Sequence, residues 1–243
     1  MVPAQRWLKR VIAEMGGKDA IVVDEDADLD AAAGAIVASA FGFQGQKCSA
    51  CSRLIAVGRA YAPLVDQVAQ RTTALCVGPA RDPRTEVAAL VSPEQQRKVL
   101  GYVEVGRREG RLVCGGAAGG PSGCYIEPTV FADVPVGARI SQEEIFGPVL
   151  ACSRAATFAE ALEAANATDY GLTASVFATD RAHLEMARQR LHVGNLYFNR
   201  KCTGALVGGH PFGGFNMSGT DSKAGGPDYL LLFTQAKVIV ERF

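Results

Sequence analysis

The chain has 243 residues, 48% hydrophobic and 21% charged, with 25 Lys and Arg balancing 25 Asp and Glu. Such a chain makes one large α/β unit or two small ones and buries a core without metal or disulfide staples. Zero net charge gives no basis for nucleic acid or an anionic membrane as a general partner.

No apolar stretch reaches the ~18 residues that cross a bilayer. Residues 1–10 carry Arg6, Lys9 and Arg10 without the apolar run of a secretory signal. Seven cysteines, an odd number in a chain this long, read as reduced thiols in a cytoplasmic setting, not as a disulfide framework.

In chain order, residues 19–24 form a short β-branched run that predicts a buried strand. Asp26 or Asp28 then caps a helix whose Leu29, Ala32, Ala33, Ile36, Val37 and Ala40 share one face. The glycine-rich run 42–48 ends or bends that helix and leaves Cys48 on a tight turn or a helix start. A strand follows over 53–57, then helices over 60–73 and 93–109, the second with Ser92 as N-cap and Pro93 in its first turn. Strands over 112–114 and 125–131 flank a hairpin-like loop at 115–123. The rest alternates: strand 149–153, helix 157–167, strand 172–178, helix 181–191, strand 194–199.

Alternation of this kind predicts an α/β fold, an open and mostly parallel sheet with helices on both faces. The glycine-rich connection 201–226 is long enough to suggest function. Residues 235–243 end on Val238, Ile239 and Val240, a strand that would need a partner. Neither a Walker loop nor a Gly-x-Gly-x-x-Gly fingerprint occurs.

Cys48 stands in Gly45-Gln-Lys-Cys48, where Lys47 favours the thiolate and glycine admits a substrate. On spacing alone a buried, inert cysteine is the commoner case. Cys48 and Cys51 also make a Cys-x-x-Cys, which could be a redox pair or half a metal site; His183, His192 and His210 supply no obvious second half. Glu14 alone could be a solvated glutamate.

Four motifs together resemble the aldehyde dehydrogenase superfamily: Glu14-Met-Gly-Gly-Lys18, Gly45-Gln-Lys-Cys48, Glu143-Glu-Ile-Phe-Gly-Pro148 and Pro211-Phe-Gly-Gly214, in the family's order. The stretches around Phe41 to Arg53, Thr203 to Gly208 and Ser218 to Tyr229 are similar to its glutamate-γ-semialdehyde (1-pyrroline-5-carboxylate) branch. The resemblance implies NAD-dependent oxidation of the semialdehyde to glutamate in proline breakdown. Cys48 would be the nucleophile and Glu14 the base that activates water. It implies Glu144, Phe146 and Gly16 on the cofactor side, and Ser49, Lys47, Gly204, Ala205 and Phe212 around the substrate; no metal is implied.

The resembled family also carries a dinucleotide-binding domain, with an oxyanion asparagine, before the Glu14 motif. The expectation is therefore that 1–14 hold that domain's last strand, 15–229 the catalytic domain, and 230–243 a strand for homo-oligomer pairing. The NAD site would then be incomplete within these residues. Two other readings stay open: a non-catalytic oligomerisation module, and a thiol-redox or metal protein built on Cys48 and Cys51.

Overall fold

The computed structural model describes residues 9–119, 123–220 and 222–243, with the side chains of 222 and 223 left aside. The basic stretch around Arg6, the centre of the 115–123 loop and Asp221 lie outside the described residues.

The chain runs β1 (Asp19–Val23), α1 (Leu29–Phe41), β2 (Cys51–Val57), α2 (Tyr61–Thr73), α3 (Pro93–Glu109), β3 (Arg111–Cys114), β4 (Thr129–Ala132) and α4 (Arg139–Gln142). It continues through β5 (Val149–Ala155), α5 (Phe158–Asn166), β6 (Tyr170–Gly171), β7 (Thr173–Phe177), α6 (Arg181–Arg190) and β8 (Asn195–Phe198). Short strands β9 (Phe212–Gly213), β10 (Phe215–Asn216) and β11 (Ser222–Ala224) follow, then a 3-10 turn at Tyr229–Phe233. The main sheet has the order β3-β4-β5-β2-β1-β7-β8. All its pairings are parallel except the β3–β4 edge.

Strand alternation splits the core between the two faces. From β1, Ile21 and Val23 pack with Ile36, Val37 and Leu64 of α1 and α2, whereas Ala20 and Val22 pack with Phe158, Leu162 and Leu184 of α5 and α6. In β2, Leu54 and Ala56 take the first face, Ile55 and Val57 the second. A third cluster ties Val99 and Val103 of α3 to Phe131, Val149 and Ile145. The sheet with helices on both faces is the predicted architecture.

Caps explain where helices begin. Asp28 accepts from Asp30 N–H at 3.0 Å and Ala31 N–H at 3.1 Å, and Ser92 accepts from Gln95 N–H at 3.2 Å. Of the two candidate caps at α1, Asp28 does the capping; Asp26 instead accepts from the N–H groups of Thr179 and Asp180.

One expected strand is corrected, and two terminal ones stand unpaired within this chain. The strand foreseen over 125–131 is only Thr129–Ala132, because Pro128 has no N–H for the ladder; an isolated Ala118–Ile126 bridge is what precedes it. Residues 11–14 form no strand beyond a single bridge from Glu14 to Gly219. Residues 234–243 form no strand in this chain: Val238, Ile239 and Val240 are 84%, 77% and 88% exposed, with no ladder to join.

Candidate active site

Three of the four motifs meet at one end of the sheet's central strands. The segment ending in Lys18 leads into β1, the turn holding Cys48 leads into β2, and the Glu144–Gly147 stretch leads into β5. These strands are parallel neighbours in the order β5-β2-β1, so their starts lie side by side although β5 is far away in sequence.

Cys48 sits on a turn closed by Ala50 N–H donating to Lys47 O at 3.1 Å, and it is half-buried. Before it, Phe43 and Gln44 adopt φ of 56° and 57°, the left-handed region that non-glycine residues occupy at a cost of about 1–3 kcal/mol each. The turn is wedged between its neighbours. A Cβ on Gly17 would lie 2.5 Å from the Cys48 carbonyl oxygen, and a Cβ on Gly45 would lie 2.4 Å from the Gly147 carbonyl oxygen. Only glycine fits contacts that short. A narrow cleft between the three segments is lined by Gly17, Gly45, Lys47, Glu144 and Phe146.

The two adjacent glutamates are told apart by their partners. Glu143 takes both guanidinium contacts of Arg139 at 2.9 Å and the Tyr102 hydroxyl at 2.7 Å. Hydrogen bonds from Arg139 and then Tyr102 hold its carboxyl down at about 2. Glu144 turns the other way: its Oε1 accepts Gly17 N–H at 3.0 Å, and its carboxylate covers Gly16 so closely that a Cβ there would be 2.4 Å from Oε2. A half-buried carboxylate over a side-chain-free backbone edge suits a ligand carrying hydroxyl donors, such as a ribose. Phe146 follows at φ 59°, with its carbonyl taken by Gln95 Nε2 at 2.6 Å and that of Ile145 at 3.1 Å. The start of α3 thus anchors this loop.

The remaining predicted residues take these places. Glu14 is exposed and tied through its backbone to Gly219, with Met15 N–H donating to Ser218 O at 3.3 Å. The Ser49 carbonyl accepts from the Cys202 thiol at 3.6 Å, which joins the nucleophile turn to the segment leading to Gly204 and Ala205. Lys47 Nζ lies beside Gly42. Phe212 is half-buried on β9, paired with β11.

The aldehyde dehydrogenase family model covers residues 1–239. The chain belongs to the aldehyde dehydrogenase family. A 1-pyrroline-5-carboxylate dehydrogenase of Geobacillus sp. (strain WCH70) is 59% identical over 241 residues, covering 99% of this chain and 47% of that relative. The enzyme of the same name from Bacillus subtilis (strain 168) is 56% identical over the same share. A crystal structure of a 1-pyrroline-5-carboxylate dehydrogenase from Thermus with bound NAD superposes with a TM-score of 0.97 at 58% identity, covering 99% of this chain and 46% of that one. The chain spans about half the length of the curated relatives it matches.

Sequence reasoning missed the charged floor beneath this candidate site. Lys18 and Asp19 are 1% and 2% exposed and Arg53 3%. Arg53 donates to Lys18 O at 2.8 Å and to Ala164 O and Ala165 O at 2.9 and 2.7 Å, and Asp19 accepts Thr173 N–H at 2.6 Å. Burial, then the Arg53 cation, pushes the Lys18 amine down to about 7; burial pushes the Asp19 carboxyl up to about 7 against its Thr173 hydrogen bonds. The sole sequence signal was two adjacent charges opening an apolar run.

Cys51 does not face solvent with Cys48. It is 1% exposed, donates to Arg53 O at 3.4 Å, and its thiol lies against that of Cys202. Among the described residues, no group of three or more His, Cys, Asp and Glu side chains is placed to hold a metal ion. None of the seven cysteines is in a disulfide.

Proposed function

We propose that this chain is the catalytic-domain portion of an NAD-dependent dehydrogenase that oxidises L-glutamate γ-semialdehyde to glutamate in proline breakdown. The observation carrying the reading is the seating of Cys48 against Gly17, whose N–H the Glu144 carboxylate accepts, at the starts of three adjacent parallel strands.

The Cys48 thiolate adds to the aldehyde carbon, forming a C–S bond and an oxyanion, and the Cys48 backbone N–H donates to that oxyanion. Once the carbon has been oxidised, the acyl group is held as a thioester on Cys48. Glu14 then takes a proton from the water that cleaves it and frees the thiol. NAD, when bound, supplies the hydride acceptor; Glu144 would hold its ribose hydroxyls, with Phe146 and Gly16 beside it. Ser49, Gly204 and Ala205 would receive the substrate's α-carboxylate through hydroxyl and N–H donors, and Phe212 its aliphatic stem.

We further propose the division foreseen from the sequence: 1–14 as the close of a dinucleotide-binding domain, 15–229 as the catalytic domain, and 230–243 as a segment for homo-oligomer pairing in the cytoplasm. The exposed Val238, Ile239 and Val240 favour that last role.

The test supplies the semialdehyde and NAD and follows NADH. NADH formation that vanishes in Cys48→Ala and survives in Cys51→Ala supports the reading. Formation indifferent to Cys48→Ala contradicts it, and equal loss in both variants favours a thiol pair.

A further inference from the structure

The loop after β8 is fastened by a side chain that no motif contains. Arg200 lays its guanidinium over the buried Tyr197 ring, 4.6 Å from the centroid. From there its Nη2 donates to two successive carbonyls, Thr203 O and Gly204 O, each at 3.2 Å. Its own carbonyl accepts the Ser175 hydroxyl, so the residue is pinned at both ends.

The peptide plane gives this clamp a consequence. In a trans peptide the C=O and the following N–H point in opposite directions. Drawing both carbonyls to one guanidinium therefore turns the next two N–H groups, of Gly204 and Ala205, to the side away from it. Neither N–H donates to a described residue. Gly204 has φ 88°, and successive N–H groups next to such a residue form an anion-binding concavity. A Cβ at Gly204 would meet Lys201 Cε and Arg200 Nη2 at an ordinary 3.5 and 3.6 Å, so it is the positive φ that calls for glycine.

We propose that Arg200 is a positioning and specificity-determining residue, which holds the Gly204 and Ala205 N–H groups as a nest for the carboxylate of an amino-acid-like substrate. This rests on the reading above that the loop receives the substrate's α-carboxylate, and adds the residue that shapes it. Arginine suits the task because its flat guanidinium stacks on Tyr197 while donating sideways; a lysine ammonium cannot do both.

The test is amide NMR of the chain titrated with L-glutamate. The Gly204 and Ala205 amides should show the largest shifts. Arg200→Met, which keeps the stem on Tyr197, should weaken affinity about tenfold and make the 203–205 backbone more mobile by heteronuclear relaxation. Arg200→Lys should fall between. Unchanged affinity with unchanged loop order in Arg200→Met would overturn the proposal. A wild-type chain that ignores L-glutamate removes the glutamate reading instead. The relaxation result then decides the clamp: loosening in Arg200→Met supports it, and no loosening overturns it.

Discussion

The nucleophile turn and the C-terminal segment are opposite cases of how a chain satisfies its own chemistry. Around Cys48, backbone approaches of 2.4–2.5 Å to the positions of absent side chains at Gly45 and Gly17 leave no spare volume. The neighbouring Glu144, Gln95 and Arg53 each meet partners inside the chain. From Tyr229 onward the reverse holds: Leu230, Phe233, Val238, Ile239 and Val240 are 64–88% exposed. Apolar side chains left in water in sequence mark surface meant for another partner. The difference teaches that the nucleophile turn is packed by this chain alone, whereas the tail leaves apolar side chains uncovered.

Crowding at the turn gives the largest effect. Gly17→Ala must push the Cys48 carbonyl or the Asp19 carboxylate aside, so it should cost about 1–3 kcal/mol of stability and slow modification of the Cys48 thiol. Thermal unfolding with thiol labelling checks both. An unperturbed melting curve and unchanged labelling would show that the turn is looser than described. At the tail, replacing Val238, Ile239 and Val240 by Ser should leave stability within about 0.5 kcal/mol and leave Cys48 labelling unaltered, while reducing self-association in size-exclusion chromatography. A tail variant that melts early would mean that these residues pack on the chain itself.

The smallest effect is a pH term away from both regions. His183 Nδ1 lies 2.5 Å from Asp24 Oδ2 and its ring stacks on Phe158. The hydrogen bond to Asp24 raises the imidazole above its ordinary 6.5. A raised histidine contributes fully below its unfolded value, and that contribution fades as pH rises through the folded one. Wild type should therefore lose its advantage over His183→Gln as pH climbs from slightly acidic to alkaline. A difference that grows with pH would contradict the assignment.

Local rules made much of this legible. Ser92 and Pro93 mark the start of α3, and the β-branched run at Asp19 marks β1, because caps and central strands depend on residues close in sequence. Pro128 shortened β4 where composition alone suggested a longer strand. Val238, Ile239 and Val240 have strand composition, but a strand exists only when paired. In the site, Cys48, Glu144 and Gly16 came from motifs and meet in space because β1, β2 and β5 are neighbours, a fact of topology that no spacing encodes. Lys18, Asp19 and Arg53 were opaque, since a charged residue announces its partner only after the sheet has formed. Arg200 was hidden for the same reason: its two acceptors lie three and four residues on, and only the backbone's reversal brings them to its guanidinium.

The central claim, that Cys48 is the acyl-accepting nucleophile of a built site, is tested most directly by locating the acyl group left by an activated ester. Simple exposure favours Cys76, the one exposed cysteine of the seven. Peptide mapping by mass spectrometry should instead find the adduct on the half-buried Cys48, accumulating when Glu14→Gln removes the base for its hydrolysis. Acylation that follows exposure to Cys76, or that spreads evenly over the thiols, would contradict it.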